Sequence, residues 1–230
     1  MQLSAEKQKQ ADLIYLILAG IFIASLVSCN LIFQKFFTWN PFGLYTFEIS
    51  VGILPYPVTF LVTDLISEIY GAKRANRVVV AGLVSSVFVL GVVTLADLVP
   101  ATNWSPVQDS EFSKVFGLTT VSVGASMAAY LAAQFIDIRI FHFWKKLTKG
   151  KHLWLRNNFS TMTSQLVDTV VVVGLLCSVG AIDWARFGDL VFAGWLFKAI
   201  VAALDTPILY ATTYGIRQYL GLKGTDEGEF

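Results

Sequence analysis

Six long stretches of this chain are almost continuously apolar, and shorter segments rich in charged and turn-forming residues separate them. A helix needs about 20 mostly apolar residues to cross the hydrocarbon core of a bilayer. Lipid offers no hydrogen bonds, so a spanning backbone must satisfy its own polar groups, and a helix does this. The pattern therefore predicts an all-α membrane protein with six transmembrane helices. The predicted spans are Leu13–Phe33, Glu48–Ile66, Val78–Ala96, Thr120–Phe143, Phe159–Ala181 and Leu190–Tyr210.

The second predicted span carries two prolines near its middle, Pro55 and Pro57. Proline lacks a backbone donor and its ring clashes with the preceding turn, so we predict that this helix kinks or breaks here. The carbonyl groups freed by a kink need a protein or cavity partner, and broken helices of this kind often border binding sites. A passive kink that neighbouring helices pack against is an equally good interpretation.

The composition agrees with a bilayer environment. Of the 230 residues, 55% are hydrophobic and only 14% are charged, and the mean hydropathy is +0.63. Soluble domains are usually about a quarter charged. Lipid is therefore the predicted surrounding, and a net charge of +1 argues against a nucleic-acid partner.

The basic residues are distributed unequally between the two predicted sides. Of 17 Lys and Arg residues, 13 fall in the termini and in the connections after spans two and four, three fall on the opposite side, and Lys198 lies inside a span. Basic loops stay in the cytoplasm, so we predict that both termini are cytoplasmic. The chain then divides into an amino-terminal arm (1–12), a six-helix transmembrane domain (13–213) and a tail (214–230).

Two ionisable residues lie near the centres of predicted spans. Lys198 falls in the sixth span and Asp168 in the fifth. A charge at this depth costs at least about 2.5–3.5 kcal/mol, and such residues usually face a cavity or each other. Adjacent antiparallel helices would bring the two to a similar depth. The pair either fixes helix packing or lines a substrate cavity, and we favour the cavity because packing alone rarely requires a buried pair.

Other polar side chains recur in several spans. Gln165 lies three residues before Asp168, so the two share a helix face, and Gln134 and Asp137 repeat this spacing in span four. Together they predict a central polar cavity. The candidate binding residues are Asn30, Asp64, Gln134, Asp137, Gln165, Asp168 and Lys198.

Motifs of common enzymes are missing from the sequence. It contains no phosphate-binding Gly-x-x-x-x-Gly-Lys-Ser/Thr loop and no HExxH or GxSxG motif. His142 and His152 both lie in the basic connection, and Cys29 and Cys177 fall in apolar runs without a metal-binding spacing. We therefore expect no enzymatic activity, no cofactor and no metal.

Several segments together resemble the bacterial queuosine-precursor transporters, a family once grouped with vitamin uptake transporters. The most specific is the run from Val62 to Arg77, VTDLISEIYGAKRANR, and the second is the run from Asn158 to Thr169, NFSTMTSQLVDT. The similarity extends in order over nearly the whole chain. Supporting positions are Asn30, Gln134 with Asp137, and Lys198 followed by Pro207.

This resemblance implies a bacterial inner-membrane importer of 7-deazaguanines such as preQ0 and preQ1. A guanine-like edge offers two adjacent donors, which the carboxylate of Asp64 or Asp168 can accept, and an aromatic ring such as Tyr56 or Phe60 can stack on the base. Two alternatives remain open, namely a substrate-binding subunit of an ATP-driven importer and a membrane enzyme or assembly factor. A homodimer and an energy-coupling partner are also left open.

The predicted orientation is testable with reporter fusions. A reporter that is active only in the cytoplasm should be active when fused after Phe230, because the basic loops hold both termini inside. Fusion after Thr102 in the connection after span three serves as the opposite-side control. Activity at the carboxyl end of a reporter that works only outside would overturn the orientation.

Overall fold

The computed structural model describes residues 4–117, 119–147 and 153–222. Within these ranges the chain forms one antiparallel β-hairpin and seven α-helices. The strands are β1 (Phe36–Trp39) and β2 (Phe47–Ser50), and the helices are α1 (Ala5–Ile32), α2 (Tyr56–Tyr70), α3 (Ala72–Leu98), α4 (Asp109–Phe116), α5 (Thr119–Leu147), α6 (Leu153–Ser178) and α7 (Phe187–Leu220).

Four helical segments of the described residues are long and apolar enough to cross a membrane. These segments are Ala5–Ile32, Val51–Tyr70, Lys73–Leu98 and Trp184–Leu220. The helical architecture with several spans is thereby confirmed. Helices α5 and α6 cover the predicted fourth and fifth spans, but their apolar stretches in the described part are the shorter Val123–Ala133 and Met162–Ser178. Six spans remain a prediction.

The terminal helices extend beyond the predicted spans. Helix α1 begins in the segment assigned to the amino-terminal arm, and the Ser4 side chain caps it by accepting a hydrogen bond from the Lys7 amide at 3.4 Å. Helix α7 continues into the segment assigned to the tail and ends at Gly221, whose φ of +76° suits a helix C-terminus. Both helices are therefore longer than hydrocarbon alone requires.

The second predicted span differs most from the structure. Residues 47–50 form β2, a 3-10 turn follows over Val51–Ile53, and α2 begins only at Tyr56. Pro55 is the N-cap of α2 and Pro57 lies in its first turn. The predicted span is therefore interrupted at Pro55 and Pro57 by a break and not by a kink, because these prolines start the helix. The reason is that first-turn amides have no partner in the helix, so a residue without a donor costs nothing there.

The hairpin is fastened to the end of α1. Phe36 pairs with Ser50 and Trp39 with Phe47 across the two strands. The Ser50 hydroxyl donates to the backbone carbonyl of Phe33 and accepts from the Gly52 amide. A β-carbon at Gly52 would lie 2.7 Å from the Cys29 carbonyl oxygen, so only glycine permits this close approach. The non-helical backbone at this level is thus covered by protein.

A buried apolar core joins α1, α2 and α3. Phe22 of α1 and Ile66 and Ile69 of α2 are fully buried in it. Gly82 of α3 lies against Phe22, and a β-carbon there would come within 2.6 Å of the ring. At the end of this core the Tyr70 hydroxyl donates to the Ala11 carbonyl at 2.8 Å. Helices α1 to α3 therefore form a close-packed unit against which the other elements lie.

Close packing at Gly82 predicts a stability difference between two glycines of α3. Gly82→Ala should destabilise the protein by about 1–3 kcal/mol, because the buried Phe22 ring has no room to move. Gly91→Ala on the same helix is the matched control, since a β-carbon there meets nothing within 4 Å. Thermal unfolding of both variants in detergent measures the effect. Equal midpoints for the two variants would refute the close contact.

Candidate functional site

The centre of the molecule is a buried ion pair between α6 and α7. The Lys198 ammonium lies 2.6 Å from a carboxylate oxygen of Asp168, and the two side chains are 11% and 4% exposed. Lys198 also donates to the Thr169 hydroxyl at 3.1 Å, and it lies 4.4 Å from the ring centre of Tyr56. A carboxylate, a hydroxyl and an aromatic face therefore share one buried cation.

Thr169 is oriented for this contact by its own helix. Its hydroxyl donates to the Gln165 carbonyl at 2.8 Å, so an oxygen lone pair remains for Lys198. Nearby, the Trp195 indole N–H donates to the Met162 carbonyl at 2.9 Å. These hydrogen bonds set the register between α6 and α7 and so place Lys198 opposite Asp168.

A larger cavity lies on the hairpin side of the ion pair. It has a volume of about 960 Å³ including its open mouth, and Asp168, Thr169 and Lys198 form part of its wall. Asn30, which is buried, and residues of the hairpin complete it. We call this space the outer cavity. It offers a ligand an amide, a hydroxyl and the ion pair within largely apolar walls.

The hairpin is tied to the start of α7 beside this cavity. Glu48 of β2 lines the cavity and pairs with Arg186 at 3.0 Å. Both side chains are more than half exposed, so this ion pair contributes at most about 1 kcal/mol. This contact shows that the hairpin and the start of α7 meet at the mouth of the cavity.

A second cavity lies on the other side of the ion pair, along α2 towards Asp64. It has a volume of about 510 Å³, and α2, α6 and α7 enclose it. Its polar lining comes from Asp64, Gln165, Lys198 and Asp205. We call this space the inner cavity. Gln165 is 3% exposed, and neither polar atom of its amide has a hydrogen-bond partner among the described residues.

The two cavities share Tyr56 and Lys198 in their walls. Asp168 lines only the outer cavity and Gln165 lines only the inner one, although they are three residues apart on α6. The described residues thus border two cavities on either side of a thin layer, where the sequence predicted one central cavity. We call the layer of Tyr56, Lys198 and Asp168 the partition.

The predicted binding residues are divided between these cavities. Asn30 and Asp168 line the outer cavity, Asp64 and Gln165 line the inner cavity, and Lys198 lines both. The side chains of Gln134 and Asp137 lie outside the described residues. Thr169 was not among the predicted residues, although its position next to Asp168 in an apolar helix was the available signal.

Several apolar helices around two cavities, each with a few polar side chains in a largely apolar wall, indicate a multi-pass membrane protein of the transporter class. Residues 50–212 match the family described as "Putative vitamin uptake transporter". This match covers well over half of the chain, so the chain belongs to that family.

Three curated relatives agree with this membership and with the resemblance found in the motifs. A "Probable queuosine precursor transporter" of Bacillus subtilis is 29% identical over 73% of each chain. A protein of the same name from Haemophilus influenzae is 26% identical over 92% of this chain and 88% of its own. The "Queuosine precursor transporter" of Escherichia coli is 23% identical over 97% and 94%. No solved structure matches the chain.

The buried ion pair predicts non-additive effects on stability. Asp168→Asn should destabilise the protein by about 3–5 kcal/mol, because it leaves the Lys198 ammonium buried without a counter-charge. Adding Lys198→Met should recover much of this loss, since no unpaired charge then remains. Thermal unfolding of both single variants and the double variant measures the coupling. Additive losses would mean that the two charges do not depend on each other.

Proposed function

We propose that this protein imports queuosine precursors of the 7-deazaguanine type, such as preQ0 and preQ1, across the inner membrane into the cytoplasm. The names of its curated relatives support the substrate class. The observation that carries the mechanism is the pair of cavities on opposite sides of the partition. A secondary or facilitative transporter needs a site that is reached in turn from each side.

The outer cavity is the proposed first site for the base. The Asp168 carboxylate can accept the two adjacent donors of a guanine-like edge, while the buried amide of Asn30 serves a ring nitrogen or carbonyl group. Tyr56 lies at the base of this cavity and offers an aromatic face. Each group lines the same space, so a planar ligand contacts them without a large rearrangement.

The substrate passes the partition by weakening the Lys198–Asp168 ion pair. Ligand donors that reach Asp168 compete with the Lys198 ammonium for the same carboxylate. Lys198 keeps the Thr169 hydroxyl and the Tyr56 ring while its contact with Asp168 weakens. Binding thereby loosens the contact that joins α6 to α7, and transfer to the inner cavity follows when these helices separate.

Transport of labelled preQ0 and preQ1 into vesicles that contain only the purified protein tests this proposal. Asp64→Asn, Asp168→Asn and Lys198→Met should each reduce the initial rate at least tenfold, because each removes a charge from a cavity wall. The variants should still insert into the membrane. Asp189→Asn and Lys114→Met are matched controls at exposed positions and should transport normally.

The same vesicles separate the alternatives. Binding without uptake by the protein alone would instead indicate a substrate-binding subunit of a larger importer. Chemical conversion of the base without its movement would indicate an enzyme. Undiminished uptake by all three cavity variants would show that the site assignment is wrong.

A further inference from the structure

Among the described residues, Gln165 is the only side chain with two buried polar atoms that lack a hydrogen-bond partner. It is 3% exposed, and the two atoms are its amide oxygen and its amide nitrogen. A buried amide that makes no hydrogen bond is destabilising relative to an apolar side chain of the same size. One turn further along α6, Asp168 accepts a hydrogen bond from Lys198 through one of its carboxylate oxygens. The contrast suggests that Gln165 serves something other than packing.

Aromatic side chains line the same cavity as Gln165. Tyr56, Pro57 and Phe60 at the start of α2 form another part of the wall of this open-mouthed inner cavity. The Tyr56 and Phe60 rings lie edge to face with centres 5.2 Å apart. Ala202 of α7 contributes only a methyl group to this wall. A planar ring therefore has an aromatic surface on one side and the Gln165 amide within the same cavity.

The hydrogen-bonding groups of the inner cavity fit a ring edge that has an acceptor and a donor side by side. A glutamine amide presents one acceptor and one donor, and a cyclic amide complements it, because its carbonyl accepts and its adjacent N–H donates. Asp64 and Asp205 line the same cavity and accept from amino groups. A heterocycle with a lactam edge and an exocyclic amine matches both features.

We propose that the inner cavity is a second binding site, separate from the outer cavity, that holds a planar lactam-containing heterocycle through the Gln165 amide. This second site rests on the proposed function only for the identity of its natural ligand. The protein then binds two such molecules, or one molecule at two successive positions, on either side of the partition. Gln165 sets the selectivity of the inner position because its donor and acceptor are matched to the lactam.

Calorimetric titration of the purified full-length protein tests this site. The probes are preQ0 and guanine, which carry the lactam edge, and unsubstituted purine, which keeps the ring but has neither the carbonyl group nor the adjacent N–H. Gln165→Leu should abolish one of two binding events for the lactam probes, and Gln165→Glu should weaken it at least tenfold because a donor becomes an acceptor. Purine should bind the inner site at least tenfold more weakly than guanine.

Thermal unfolding without ligand distinguishes a binding role from a structural one. Gln165→Leu should leave the midpoint unchanged or raise it, because it removes an unsatisfied buried amide. A lowered midpoint together with unchanged binding would show that Gln165 is a packing residue and would overturn the proposal. Lactam binding that is the same in the wild type and in Gln165→Leu, or absent from both, would overturn it as well.

The outcome can be separated from that of the proposed transport function. Gln165-dependent binding of guanine without vesicle uptake of preQ0 or preQ1 would leave the inner site standing and refute the transport proposal. Uptake of these precursors with no Gln165-dependent binding event would support the transport proposal and refute the inner site. Asp189→Asn, at an exposed position of α7, is the matched control, and it should retain the Gln165-dependent event.

Discussion

A lysine ammonium can remain inside a bundle of apolar helices only when its charge is compensated, and this requirement organises the structure. Asp168 supplies the counter-charge, Thr169 a hydrogen-bond acceptor and Tyr56 an aromatic face. These partners come from α6 and α2, while Lys198 belongs to α7. The three helices are therefore fixed at one level of the bundle, and the spaces above and below this level become the two cavities.

The helical part of the fold could be predicted from the sequence, because a long apolar run in lipid must satisfy its own backbone polar groups and a helix does so. Spans one, three and six were placed correctly in order and type, whereas the region around residues 36–50 was misjudged. Phe47 and Ile49 are buried while Glu48 between them is exposed, and this alternation is the signature of a strand. It was hidden because the apolar run continues without interruption into α2, so Pro55 was taken as a kink in a helix that it starts.

The burial of the polar candidates beside cavities was predictable from the sequence, but their division between two cavities was not. Lys198, Asp168 and Gln165 stood out because polar groups in apolar runs are costly in hydrocarbon and usually face a partner or a cavity. Three residues along a helix correspond to a rise of about 4.5 Å. That distance is enough to place Gln165 and Asp168 on opposite sides of the Lys198 side chain, and the sequence contains no information on which side each one faces. The register of α7 against α6 decides it.

The thinness of the partition has an electrical consequence. Helix α2 has only 15 residues, about 22 Å at 1.5 Å per residue, and the hairpin replaces helix above it. In the proposed transport the two cavities open to opposite bulk phases, and water in them would carry the potential of each phase towards the partition, so that most of the membrane voltage would fall across this one layer. A unit charge that crosses it gains or loses about 2.3 kcal/mol per 100 mV. The resting Lys198–Asp168 pair is neutral and feels no net force, whereas a cationic ligand is drawn inwards by a negative interior.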